Sequence, residues 1–338
     1  MGKHGDILPL QGHGAVCVCL DNTTVQAGGS VNGLVQLAVT KAIDVTALDV
    51  EFSGNEHLKW DENAERCSKT HRIHSNKATL LTPPSPASVL TLAPGNYSYP
   101  FVFQLPNNLT PSFAFKSWCV DDIKNVQVMV DYEISLNLGL EGDLKANVKW
   151  SVPLNLEAPA SSYAPSMETK PLTASTTQVV RPMGLFSRGK CDVTLEMEKD
   201  VHDTKSPIPV RVTVENASKQ SLQAIHLVLY EDVTIDRYLA GKNRLCQTSR
   251  VVCARRFNHK EIKSNGALSL ALPLLANDLY RLKPLQPTMR SHFIHSLSYR
   301  IGVECALTAS GRAKVSAPVR IIQAANADNM SGTFVSVA

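Results

Sequence analysis

The chain has 338 residues, 43% hydrophobic, 6% aromatic and 19% charged, with a formal net charge of +4, and its mean hydropathy is −0.08. That length suits two domains of about 150 residues, each able to bury a core without metal or disulfide staples. Hydropathy and charge balance exclude a disordered chain, and the longest apolar run, Leu268 to Leu275, falls far short of the about 18 residues of a membrane span.

The N-terminal stretch Met1 to Asp6 carries no apolar signal core, and Asp6 stands where a myristoylation motif needs Ser or Thr. A cytosolic, soluble chain is the expectation. The cysteines (17, 19, 67, 119, 191, 246, 253 and 305) are scattered rather than framed. They are expected to be reduced thiols packed as small apolar groups. Cys17 and Cys19 share one face of a strand at Ala15 to Leu20, a spacing that reads as core packing. The sequons at Asn22, Asn96, Asn108, Asn216 and Asn329 are chance matches in a chain that never enters the secretory lumen.

Period-two alternation dominates the chain beyond this point. It runs through Val31 to Val39, Leu48 to Phe52, Phe101 to Leu105, Val126 to Leu138 and Val148 to Leu154. After a gap it resumes in Val193 to Met197, Ile208 to Val214, Ile225 to Leu229, Leu268 to Leu274, Leu297 to Val303 and Val315 to Ile321. Turn residues separate the runs, and no helical apolar stripe exceeds two turns, so the chain reads as an all-β sandwich protein. The expected organisation is one sandwich over 1–156, a Pro/Ser/Thr-rich linker over 157–188, a second sandwich over 189–323 and a flexible tail over 324–338. Charge divides along the same line: residues 1–156 hold 11 Lys/Arg against 15 Asp/Glu, and residues 157–338 hold 23 against 15. Thr82-Pro83-Pro84-Ser85-Pro86 reads as a stiff loop between strands.

The catalytic templates fail. Gly184 to Lys190 matches the spacing of a phosphate loop, but Cys191 replaces the magnesium-holding hydroxyl and a strand pattern continues where a helix is needed. Cys67, His71 and His74 have no second ligand pair, and their charged flanks read as a solvated loop or edge strand. No nucleophile elbow, zinc-protease helix or dinucleotide loop is present. No enzyme, catalytic residue, metal or cofactor is expected.

Residues Ala93 to Phe113, APGNYSYPFVFQLPNNLTPSF, resemble the signature stretch of arrestin-domain-containing proteins of the α-arrestin type. In that pattern a Pro-Gly turn leads into an aromatic-Pro-Phe-x-Phe strand, Leu-Pro and a Pro-Ser-Phe edge. Gly33 to Leu37, Leu48 to Glu56, Trp60 and Val130 to Ile134 are similar to the neighbouring strands of the family. Gly189 to Leu195, Ile208 to Asn216, Ser298 to Val303 and Pro318 to Ile321 resemble its C-terminal domain more loosely. The resemblance covers about residues 12–323. It implies two tandem immunoglobulin-like sandwiches. It also implies a non-catalytic adaptor that binds cytosolic tails of membrane proteins and links them to endocytosis, sorting or ubiquitination. An alternative on the same fold is a retromer-like structural subunit of a trafficking coat. The Pro-Pro-x-Tyr motif that recruits ubiquitin ligases in α-arrestins is absent from the sequence, and no arginine follows Gln323 to complete a phosphate-sensing polar core.

The densest charge is basic: Lys242, Arg244, Arg250, Arg255, Arg256, His259, Lys260 and Lys263, opposed only by Glu261. Such a patch reads either as a solvated strand hairpin kept soluble by its charged edge or as a surface expected to attract phosphorylated tails or anionic lipid headgroups, the latter in keeping with a cytoplasmic protein held peripherally at plasma membrane or endosomes. Phe257 is the lone aromatic among these residues, which argues against nucleic acid.

Overall fold

The computed structural model describes residues 4–85, 89–142, 147–158, 169–179, 189–203, 207–218, 220–239, 242–258, 267–274, 285–308 and 311–322. The expected tail over 324–338 lies outside the described residues. Those described are almost entirely strand, with no α-helix among them, and the chain divides into two units, Met1–Ala160 and Ser161–Ala338.

In unit 1 the first layer contains β1 (His4–Pro9), β2 (Gly14–Leu20), β4 (Ser30–Val39) and β8 (Gly95–Gln104), paired in the order β1-β2-β4-β8. The second layer runs β3 (Thr24–Gln26), β11 (Asn147–Glu157), β10 (Ile123–Glu141), β5 (Ile43–Glu62) and β6 (Glu65–Leu81). β7 (Leu90–Leu92) pairs with β5, and β9 (Phe113–Val120) pairs with β10. The layers meet through the alternating apolar positions. Val16, Val18, Leu20, Val35, Leu37, Phe101 and Phe103 are buried on one side, and Val50, Phe52, Ile134, Leu136 and Leu154 on the other. Phe52 joins the two: its ring lies 6.4 Å from that of Phe103 and stacks on Tyr132 at 5.7 Å and 7°. Tyr132 donates its hydroxyl proton to the Thr110 carbonyl at 2.7 Å. It lies flat on β5 because Gly54 leaves room, where a Cβ would stand 2.3 Å from the ring.

The expected signature strand is β8, with Phe101, Phe103 and Leu105 buried. The lack of an N–H donor would let Pro100 and Pro106 end the ladder; β8 continues through Pro100 to Gln104 and stops short of Pro106. β8 is an edge strand of its layer, and an edge tolerates proline because one side of the strand needs no N–H donor.

Unit 2 repeats this plan. Its first layer is β12 (Leu172–Val179), β13 (Lys190–Met197), β15 (Ile208–Asn216) and β18 (Ala267–Leu274), in that order. Its second is β14 (Val201–Asp203), β20 (Arg312–Ile322), β19 (Ile294–Leu307), β16 (Leu222–Leu239) and β17 (Lys242–Asn258). In both units a short strand pairs in parallel with the last strand, β3 with β11 and β14 with β20, and every other pairing among the described strands is antiparallel. Val193, Leu195, Val210, Val212 and Val214 are buried in one layer, and Ile225, Leu227, Leu229, Ile301 and Val303 in the other. Cys191, Cys246, Cys253 and Cys305 are fully buried thiols. Burial, with the Cys191 thiol close by, pushes Cys305 up to about 12.

The expected linker is interrupted. Residues 172–179, whose composition reads as unstructured, form β12 and pair along their length with β13. The strand sits at a sheet edge and alternates half-buried with exposed positions, and after Leu172 its inward side chains are small (Ala174, Thr176). An edge position needs little hydrophobicity, which is why a Ser/Thr-rich composition hides it.

His202 on β14 is 2% exposed and its Nε2 has no hydrogen-bond partner. Burial, aided by Lys199, holds it below its ordinary 6.5. The neutral ring is therefore favoured in the folded state. As pH falls from 6.5 through the folded-state value, the unfolded chain takes up the extra proton and stability is lost. That loss has a slope of up to about 1.4 kcal/mol per pH unit. His202→Gln is expected to flatten this acid limb, measured as urea midpoints from neutral to mildly acidic pH. An unchanged limb would assign it to other groups.

Candidate binding surface

β16 and β17 form a long hairpin, and β17 is the outermost strand of its layer. The basic patch of the sequence lies on it, but strand alternation divides it. Lys242 opens β17 and Arg244 is exposed near its start. Arg250 is opposite Glu231 in register and faces inward: its Nη2 lies 2.6 Å from Glu231 Oε1. Glu231 is 2% exposed, and burial raises its carboxyl despite Arg250 beside it. The Tyr299 hydroxyl lies 3.4 Å from Glu231 Oε2 and donates to the Gln286 carbonyl at 2.8 Å. Arg250 is thus committed to a buried carboxylate rather than presented to a ligand.

The register shifts between Leu229 and Tyr230, so the inward parity on β17 passes from Cys246 to Cys253 and Phe257. Arg255 is half-buried over the Phe257 ring at 4.9 Å. Arg256 is exposed on the opposite face, in register with His226 and, beyond it, Glu304. Arg312 and Lys314 reach Glu304 at 3.0 and 2.8 Å. Burial would raise Glu304, but these two cations outweigh it and hold the carboxyl below its usual range. On the same face Arg300 lies over Tyr230 at 4.0 Å, bonds Asp232 at 2.9 Å and donates to Ser249 at 3.0 Å. Arg244 and Arg256 are the exposed arginines of the patch among the described residues. Lys260 and Lys263 lie outside the described residues.

The other sequence candidates resolve differently. Cys67, His71 and His74 lie on edge strand β6, in register with Trp60, Glu56 and Gly54. A bulge beside Gly54 keeps the two histidines on one side despite their odd spacing. His74 packs on Phe52 at 5.7 Å. Among the described residues no three His, Cys, Asp or Glu side chains converge as metal ligands. Residues 184–188 of the phosphate-loop match lie outside the described residues, and Lys190 begins strand β13 instead of a helix.

A shallow cavity of about 520 Å³ lies on the second layer of unit 1, lined by Glu51, Ser135, Asn137, Asn147, Lys149 and Ser151. Its Glu51 already accepts from Ser75 at 2.6 Å and faces Arg72 at 3.7 Å. The arrangement offers hydrogen bonds and no nucleophile–base pair.

Residues 18–151 match the family model described as Arrestin (or S-antigen), N-terminal domain. Unit 1 thus carries the match to an arrestin N-terminal domain. The lateral-eye arrestin of Limulus polyphemus is 23% identical over 141 residues, 42% of this chain. The alignment spans 34% of the length of that relative. Arrestin-domain proteins are generally non-catalytic adaptors, and no enzyme family is indicated for this chain. No helix among the described residues is long and apolar enough to cross a membrane.

Proposed function

We propose that this arrestin-domain protein is a cytoplasmic adaptor that binds cytosolic tails of membrane proteins and links them to endocytosis, sorting or ubiquitination. The observation that carries this reading is the family match across residues 18–151, which spans β4 through β10 without a break. The repeated strand order of unit 2 supports reading it as the second domain of the same kind. A protein so built works by offering surface, and several of its acidic and basic groups are engaged in ion pairs within the sheets.

Arg244 and Arg256 are the exposed part of an anion-attracting surface on β17, holding the protein peripherally at plasma-membrane or endosomal lipid. Each cation near an anionic bilayer contributes on the order of 1 kcal/mol. Arg244→Glu with Arg256→Glu is expected to reduce co-flotation with phosphatidylserine vesicles at least tenfold; undiminished flotation removes this surface. For the adaptor role, proximity labelling in live cells should enrich membrane proteins and ubiquitin ligases. A single constant large complex, without membrane cargo, would favour a coat subunit instead.

A further inference from the structure

The spacing of Cys17 and Cys19 predicts inward packing on β2, and the strand does the opposite. Val16, Val18 and Leu20 are the buried positions, and the two cysteines occupy the half-exposed face between them. Their Sγ atoms lie 3.7 Å apart. The antiparallel registers set the surroundings of this face. Cys17 is beside Ile7 on β1 and Gln36 on β4, and Cys19 is beside Gly5 and Leu34. Ala15, Pro9 and Ala38 continue it on one side, and Ser98 and Pro100 on β8 extend it across. None of these residues carries a charge. Ile7 is 72% exposed, so the face is open to solvent beside the pair.

We propose that Cys17 and Cys19 form a two-thiolate site for one soft divalent d10 cation, of the zinc or cadmium class. Three features point to that chemistry. Two thiolates bound at about 2.3 Å to a tetrahedral ion stand about 3.8 Å apart, which is the separation already present. The first carboxylate on this parity, Asp21, is exposed just beyond the end of β2, so the pair itself offers only sulfur, which suits soft cations over hard ones that demand oxygen ligands. A divalent ion with two thiolates is neutral, and the uncharged cross-strand neighbours of the pair favour a neutral complex. On binding, each thiol releases its proton to solvent and two metal–sulfur bonds form, with no change in oxidation state. The two remaining coordination positions are filled by water or by a small thiol from solution.

Closing an internal disulfide is the less suitable chemistry. At about 3.4 Å of rise per residue, the two Cα atoms of an i, i+2 pair stand near 6.8 Å apart, at the upper limit for a disulfide. A bridging ion spans the pair without bending the strand.

The test uses the reduced full-length protein titrated with cadmium. It follows the thiolate-to-cadmium charge-transfer band and maps iodoacetamide protection by peptide mass spectrometry. The wild type and a Cys119→Ser control are expected to bind an ion that protects Cys17 and Cys19 together. Cys17→Ser and Cys19→Ser are each expected to weaken this binding at least tenfold and to expose the remaining thiol to alkylation. Serine is nearly isosteric at these half-exposed positions, and unchanged thermal midpoints would exclude unfolding as the cause. Equal titrations in wild type and both variants, or protection of one cysteine without the other, would overturn the proposal.

Discussion

Phe52→Ala is expected to cost about 4 kcal/mol of unfolding free energy, read as the denaturation midpoint at constant slope. Phe52 is fully buried and touches elements of both layers of unit 1: Tyr132 by stacking, Phe103 across the sandwich and His74 on the edge strand. Removing the ring deletes these contacts at once and leaves a void that neighbouring strands cannot close, because each is pinned by its ladder. Phe52→Leu keeps most of the volume and should cost no more than about half as much. A loss below about 1 kcal/mol for the alanine variant would mean that the two layers do not share this core. The functional consequence is direct, since the stretch that matches the arrestin N-terminal domain carries the adaptor reading.

Arg250→Ala should be the second most damaging change, at about 3 kcal/mol, because it leaves the Glu231 charge buried without its closest cation. Burial already favours the protonated form of Glu231, so part of the loss should be recovered as pH falls. The folded-state carboxyl then takes up its proton more readily than the unfolded one, which stabilises the folded variant at low pH. Glu231→Gln in the same chain removes the uncompensated charge and should restore most of the stability. A double variant as unstable as Arg250→Ala alone would show that the arginine acts through packing rather than charge. The experiment also separates the two roles open to β17, since a residue holding the sheet together cannot be read as a ligand contact.

That distinction is out of reach of the sequence. The alternation from Val126 to Leu138 is legible because inward positions are all large and apolar, and it forms β10. The arginines of β17 look equivalent because composition carries no parity. A register shift beside Leu229 and an acidic residue at an inward position of β16 decide which cation is consumed. The same limit applies to β12, where an edge strand of mostly small polar side chains resembles a loop, and to Cys17 and Cys19. An i, i+2 pair names a common face but not which face; Val16, Val18 and Leu20 claim the interior of β2. The Phe101-x-Phe103-x-Leu105 pattern is the opposite case, since turn, proline and aromatic positions together define strand, edge and core side.

The parallel pairs β3–β11 and β14–β20 bear on biosynthesis. In each, a three-residue strand near the beginning of a unit waits for the last long strand of that unit before it acquires a partner. During translation the open flanks of β10 and β19 stay uncovered until the ribosome has delivered β11 and β20, at about 5–20 residues per second. Each unit therefore matures in one late step, and a nascent chain that stalls before Asn147 or Arg312 presents an unfinished sheet to chaperones.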